Sequence, residues 1–230
     1  MSRVAIVTGG ASGMGAATVA RLEAQGVEVA VFDVQGDRPV DVADRAAVEA
    51  AVAEVRERSS PIDIVVNCAG VGVGGLVEGD TYVEDWERAL AVNLNGAMYV
   101  VRACIGDLAA SGHGRIVNVS STEALSSQRF TGAYSVSKHA LLGFTRSIAV
   151  DYARTGLTSN CICPGATDTP MVAGIPPERR AEFIRRNVPA GRWGTPDEVA
   201  YMIVALTAVE ASFVNGAVIT VDGGMTAKGP

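Results

Sequence analysis

The chain has 230 residues, 48% hydrophobic and 19% charged, which excludes a disordered polymer and fits a single domain of ordinary size. Nineteen basic against 25 acidic residues give a formal charge of −6, which argues against a nucleic-acid partner or a polybasic membrane anchor. No apolar run approaches the roughly 18 residues of a membrane span and no signal peptide is visible, so a cytoplasmic protein without membrane contact is expected.

In chain order, the first strand candidate is Arg3–Thr8. It runs into Thr8-Gly9-Gly10-Ala11-Ser12-Gly13-Met14-Gly15 and a helical pattern over Met14–Gln25 that Gly26 stops. The second strand, Val27–Asp33, ends on a carboxylate 18 residues beyond Gly15. Only Val34–Asp37 separate it from the short run Arg38–Val42. Four residues reach at most about 14 Å, whereas a parallel crossover needs about a dozen. A very short third strand with no crossover helix is predicted. A helix over Asp44–Arg58 follows, capped by Asp44, and then a strand over Ile62–Asn67. Helix Thr81–Ala110, with Asp80 as cap, leads to strand Arg115–Ser120. Helix Ala133–Arg154, stopped by Gly156, leads to strand Thr158–Cys163. Thr167–Trp193 interrupts the alternation and reads as an insertion over one end of the sheet, before helix Pro196–Ala208 and strand Ala217–Val221.

The strands are continuous apolar runs, as expected where both faces are covered. Alternation of strand and helix predicts an α/β fold: one domain, residues 1–230, with a doubly wound parallel sheet and helices on both faces.

Two constellations carry chemistry. Glycines at 9, 13 and 15 permit a tight turn and bring backbone N–H groups close to a pyrophosphate at a helix N-terminus. Asp33 can accept hydrogen bonds from a ribose diol and repels a 2′-phosphate. No Arg or Lys stands at Ala11, Ser12 or Val34, so NAD is favoured over NADP. Further on, Tyr134 and Lys138 lie four apart on one helix face. A tyrosine ordinarily titrates near about 10, and a neighbouring ammonium favours its phenolate, a route to an acid–base at neutral pH.

With these motifs the chain resembles the short-chain dehydrogenase/reductase family, of the compact single-domain NAD-dependent type with a Rossmann fold. Thr8–Gly15 matches its TGxxxGxG turn, and Asn67-Cys68-Ala69-Gly70 its NNAG motif with Cys for the second Asn. Asn93 falls on the helix asparagine, and Ser121 lies 13 residues before Tyr134. Pro164-Gly165 with Thr169 and Met171 matches PGxxxTxM, and Val221–Gly224 the C-terminal sheet motif. The resemblance spans Arg3 to Gly224.

It implies that Tyr134 exchanges the proton with the substrate oxygen and that Ser121, rather than Ser120, hydrogen-bonds that oxygen. Lys138 would hold the nicotinamide ribose, and Asn93 would position a water linking Lys138 to solvent. Gly9, Ser12, Gly13, Met14 and Gly15 would hold the cofactor's phosphates, with Asp33 on the ribose and Asp41 and Val42 on the adenine side. Asn67, Ala69 and Gly70 would line the nucleotide cleft, and Pro164, Gly165, Thr167 and Thr169 the nicotinamide side. The function implied is interconversion of a small secondary alcohol and a ketone. A 3-oxoacyl-thioester reductase is the alternative, and a catalytically silent NAD-binding regulator the remote one.

Other residues receive plainer readings. Cys68, Cys104, Cys161 and Cys163 lack metal-ligand spacing, and His113 and His139 stand apart from any such cluster, so no metal is expected. Trp86 and Trp193 read as packing residues. Arg179, Arg180, Arg185, Arg186 and Arg192 read as the solvated side of a helix that buries Phe183 and Ile184; the competing reading is a dock for a phosphate or carboxylate. Surplus apolar positions in the helices Thr81–Ala110 and Ala133–Arg154 predict a homotetramer.

Overall fold

Strands that are apolar at consecutive positions need cover on both faces, and the computed structural model, which describes residues 2–59 and 61–228, supplies it. Its strands are β1 (Val4–Thr8), β2 (Glu28–Phe32), β3 (Ile62–Asn67), β4 (Arg115–Val119), β5 (Thr158–Pro164) and β6 (Val218–Val221). All pair in parallel, in the order β2-β1-β3-β4-β5-β6. The helices are α1 (Gly13–Ala24), α2 (Arg45–Arg58), α3 (Tyr82–Leu90), α4 (Ala97–Ala110), α5 (Gly132–Asp151), α6 (Pro177–Asn187) and α7 (Pro196–Thr207). The fold is the doubly wound α/β sheet. Its order reverses between β1 and β3, where such sheets open a crevice at the strands' C-terminal ends.

Successive side chains leave a strand on opposite faces. Ile6, Val65 and Ile116 meet Val48, Val52, Val100, Cys104 and Leu108 from α2 and α4. Val7, Val66, Val117 and Ile162 meet Leu22 from α1 and Val199, Ile203 and Leu206 from α7. Fully burying one such side chain stabilises by roughly 1.5–3 kcal/mol, so these two cores are the main cohesive force.

Three expectations need correction. Arg38–Val42 forms no strand: the backbone turns and makes one ladder-like bond, Val40 N to Asp33 O at 2.7 Å. The link is too short to cross the sheet, so β2 is an edge. Asp80 caps nothing, because α3 begins one residue later with Thr81 at its N-cap position and no side-chain bond there; Asp44 does cap α2, accepting from Ala46 N and Ala47 N. The long helix is not uniform either. Between α3 and α4, Ala91–Gly96 winds as a π-helical turn.

The continuous stretch Tyr82–Ala110 is 29 residues long and apolar enough to suit a bilayer crossing by length and composition. Here Val100, Val101, Cys104 and Leu108 on α4 are spent on the sheet. The insertion is closed at its base by a bridge between Thr167 and Gly194 and carries α6 as an outlying arm.

At the N-terminal ends of the strands, Arg115 is 1% exposed. Its Nε donates to Ala208 O at 3.0 Å, Nη1 to Gly114 O and Gly156 O at 2.9 and 3.1 Å, and Nη2 to Val209 O at 2.9 Å. Burial, and then the neighbouring Arg3, lower its pKa from the ordinary value. Arg3 donates to Thr207 O at 2.6 Å, and Asp63 joins Val4 N at 3.1 Å to His113 at 3.3 Å.

Candidate active site

At the C-terminal end of β1 the chain turns through Gly9, with φ +66, into α1. A Cβ on Gly9 would lie 2.8 Å from Ala69 Cα, and one on Gly15 would lie 2.0 Å from Gly9 O. Neither position has room for a side chain, so the turn is a cradle of bare backbone at a helix N-terminus. Thr8 Oγ1 accepts from Cys68 N and Ala69 N, both at 3.0 Å, and ties the turn to the loop after β3.

A cleft of about 490 Å³ opens over this cradle, lined by Gly9, Ser12, Gly13, Met14, Gly15, Asp33, Asp41, Val42, Ala69, Gly70, Tyr134, Lys138 and Thr169. Asp33 accepts from Ala11 N at 3.0 Å through one oxygen and from Gln35 N at 2.9 Å through the other. These bonds aim the carboxylate at the cleft floor. Asp41 accepts from Ala43 N at 2.9 Å and shapes the far wall. Gly-lined backbone, a helix start and a carboxylate at the next strand's end suit a dinucleotide.

A second cavity, of about 630 Å³, lies between the sheet end and α6. Ser121, Pro164, Gly165, Thr167, Phe183 and Trp193 line it, and Met14, Tyr134 and Thr169 belong to both spaces. Tyr134 is therefore the phenol at the junction. Lys138, 4% exposed, points Nζ at Val119 O at 2.9 Å, and that nitrogen lies 5.7 Å from the Tyr134 ring centre. Ser121 Oγ accepts from Glu123 N at 3.1 Å, which fixes the hydroxyl's direction. Ser120 borders both spaces, but its hydroxyl is spent on Lys138 O at 2.9 Å, which fastens α5 to β4.

Asn93 sits inside the π-helical turn and is 2% exposed. It accepts from Val71 N at 2.8 Å and donates to Val71 O at 3.1 Å and Ser137 Oγ at 3.0 Å. A Cβ on Gly70 would lie 3.2 Å from Asn93 Oδ1 and 3.4 Å from Lys138 Nζ, so both groups face one small space above that glycine.

Asn67 does not line the cleft. Its amide turns inward, donating to Asn118 Oδ1 at 2.8 Å, and Asn118 donates to Thr145 Oγ1 at 2.9 Å. These bonds lock β3 to β4 and to α5. Pro164, Gly165 and Thr167 face the second cavity rather than the glycine cleft. Asn118 and Thr145 carry no signal in the sequence, because a polar residue within an apolar run has no assignable role until its partner is known.

The arginines divide. Arg186 pairs with Glu182 at 2.7 Å and Arg192 with Glu198 at 2.6 Å, both as exposed surface bridges. Arg179 and Arg180 line the second cavity. Arg180 holds Asp168 at 2.6 Å with its guanidinium 4.4 Å over the Trp193 ring, so Trp193 is a wall of the cavity as well as packing. Among the described residues no cluster of three His, Cys, Asp or Glu side chains could hold a metal. Burial pushes the Cys68 and Cys104 thiols up to about 12.

Comparison with known proteins decides the family. The family model described as Enoyl-(Acyl carrier protein) reductase, one of the short-chain dehydrogenase/reductase models, matches residues 9–226. The chain belongs to the short-chain dehydrogenase/reductase family. It is similar to cis-4-hydroxycyclohexanecarboxylate dehydrogenase of Sinomonas cyclohexanicum, 37% identical over 98% of this chain and 97% of that one. It is likewise similar to 2-(R)-hydroxypropyl-CoM dehydrogenase of Xanthobacter autotrophicus, 37% identical over 99% of this chain and all of the other. Among solved structures, ligand-free aldohexose dehydrogenase of Thermoplasma acidophilum matches with TM-score 0.93 and 33% identity, over 100% of this chain and 96% of that one. This member of the family is an oxidoreductase acting on CH–OH groups, interconverting a secondary alcohol and a ketone.

Proposed function

We propose that this short-chain dehydrogenase/reductase uses NAD on a small neutral alcohol or ketone, with Tyr134 as its acid–base. One observation carries the reading: Tyr134 stands where the glycine-lined cleft meets the second cavity, with Lys138 on the first side and Ser121 on the other. A dinucleotide in the cleft supplies hydride chemistry. Ser121 then holds the substrate oxygen, and Tyr134 passes a proton to or from it. Lys138, with its amine beside the ring, would hydrogen-bond the ribose. Asn93 holds the space above Gly70 open for a water that carries protons outward.

Asp33 supports NAD, because its remaining lone pairs suit a ribose diol and its charge opposes a phosphate. Initial rates with a panel of alcohols and ketones, followed by cofactor absorbance with NAD and NADP in parallel, test the reading. Equal use of the two cofactors overturns the NAD assignment, and absence of turnover on every secondary alcohol overturns the substrate class.

A 3-oxoacyl-thioester reductase is favoured by Arg179 and Arg180 at the second cavity. Asp168 already engages Arg180, which favours the neutral substrate. Replacing Arg179, Arg180, Arg185 and Arg186 by Gln is expected to change KM less than about threefold, with little salt dependence, since exposed charges are screened over about 8–10 Å. A steep salt effect abolished by those replacements would establish the thioester reading.

Assembly as a homotetramer has less support than the apolar count of the two helices offers, because Val100, Val101, Leu141 and Leu142 are buried within the subunit and Val150, at 78%, stays exposed. Light scattering at micromolar concentration measures it. A cytoplasmic setting is supported by four cysteines that are free thiols.

A further inference from the structure

Two residues beyond Ser121, Glu123 is a carboxylate that the steps above leave unused, and it is 6% exposed. Glutamates are seldom so buried without a paired charge. No ion pair among the described residues includes it. Its Oε2 instead accepts three hydrogen bonds: from Gln128 N at 3.0 Å, Thr131 Oγ1 at 2.8 Å and Ser135 Oγ at 3.0 Å. Gln128 and Thr131 lie in the chain entering α5 and Ser135 in its first turn, so this oxygen fastens the start of the helix that carries Tyr134.

The other oxygen behaves differently. No donor among the described residues reaches Oε1, yet it is not among the atoms sealed away without a partner, and Glu123 lines the second cavity. A largely desolvated carboxylate oxygen facing a cavity needs a donor and rejects a carboxylate or phosphate. A substrate ammonium is disfavoured because Arg179 and Arg180 line the same space. The donor that remains is a neutral hydroxyl.

We infer that Glu123 Oε1 selects substrates bearing a second hydroxyl close to the reacting carbon, so that diols and hydroxyketones are preferred over mono-alcohols and simple ketones. The inference rests on the alcohol–ketone reading of the same cavity. Oε2 positions α5 and Oε1 reads the substrate, and one substitution separates the two duties. In Glu123→Gln the amide oxygen can still take the three protein donors, which turns the NH2 group toward the cavity in place of an acceptor.

The test compares 2,3-butanediol with 2-butanol, a pair differing by the one hydroxyl. The natural protein is expected to favour the diol at least tenfold in kcat/KM, the order of a hydrogen bond to a charged group. In Glu123→Gln that ratio should fall by about fivefold or more through KM, since a neutral amide donor replaces a charged acceptor, with the thermal midpoint within a few degrees of the natural protein's. A ratio that survives the substitution, or an equal loss on both alcohols, overturns the inference and leaves Glu123 as a structural anchor. Ligand-observed NMR of the two alcohols, with and without NADH, reads the same ratio without turnover. A diol preference in binding, lost in Glu123→Gln with neither alcohol oxidised, would sustain this inference and sink the oxidoreduction of such alcohols. Equal binding of both by the natural protein overturns it.

Discussion

At the N-terminal ends of the strands, Arg115 donates to four carbonyls and Arg3 and Asp63 bind neighbouring backbone, so little polar backbone there is left to solvent or ligand. At the C-terminal ends, one strand length away, the same sheet opens two cavities of about 490 and 630 Å³ and leaves Tyr134, Ser121 and a Glu123 oxygen without full protein partners. At the first end arginines bind the backbone carbonyls, although Arg3 Nε, Thr158 Oγ1 and Ser159 Oγ stay buried without a partner among the described residues; at the other, polar groups face open cavities. Stability and chemistry therefore occupy different ends of one set of strands, and substitutions at the two ends should fail in different assays.

The largest expected effect is at the open end. Tyr134→Phe should lower turnover by about 10²–10⁴-fold while leaving the thermal midpoint and cofactor binding nearly unchanged. Near-normal turnover would remove Tyr134 from the mechanism. The mirror experiment is Arg115→Met, which strands four carbonyls and is expected to cost about 3–5 kcal/mol in urea unfolding. The kcat of the molecules that remain folded should stay put; a specific loss of kcat would erase the division between the ends.

Gly15→Ala probes the boundary, because it presses a methyl against Gly9 O at the cradle itself. Weakening of NAD binding by about tenfold or more, a matter of at least 1.4 kcal/mol, should accompany a clear stability loss, since backbone must shift to admit the methyl, seen in the same sample by titration and melting. Smaller again is the effect of Asp33→Ala with Val34→Arg, expected to move cofactor preference toward NADP by about tenfold, with a small stability loss as Ala11 N and Gln35 N lose their acceptor. No change in the NAD-to-NADP ratio would take Asp33 out of cofactor choice.

Much of the sheet could be read directly, since runs such as Ile62–Asn67 combine apolar continuity with β-branching and have no rival helical period. The glycine turn and the Tyr134–Lys138 pair were also legible, because local spacing alone brings their groups together. What could not be read depends on distant partners. Asn67 looks like a cleft residue until Asn118 is found beside it in the next strand. The π-helical turn holding Asn93 has no compositional mark; Gly96, where a Cβ would lie 2.8 Å from Val42, gives its reason only once the two segments meet. Arg38–Val42 has strand-like residues, but four linking residues cannot carry it to a strand's position.

The absent strand beyond β2 also bears on how the protein keeps in a vial. A parallel edge with unpaired N–H and C=O groups is a template for another chain, and a groove of about 270 Å³ runs beside it, between β2 and α2. Arg38 lines that groove, paired with Glu54 at 3.2 Å, and puts a hydrated charge where a stray strand would have to dock. Arg38→Leu should therefore leave catalysis alone and shorten the time before a concentrated solution turns cloudy, which turbidity at fixed temperature records; an unchanged clouding time would acquit the edge.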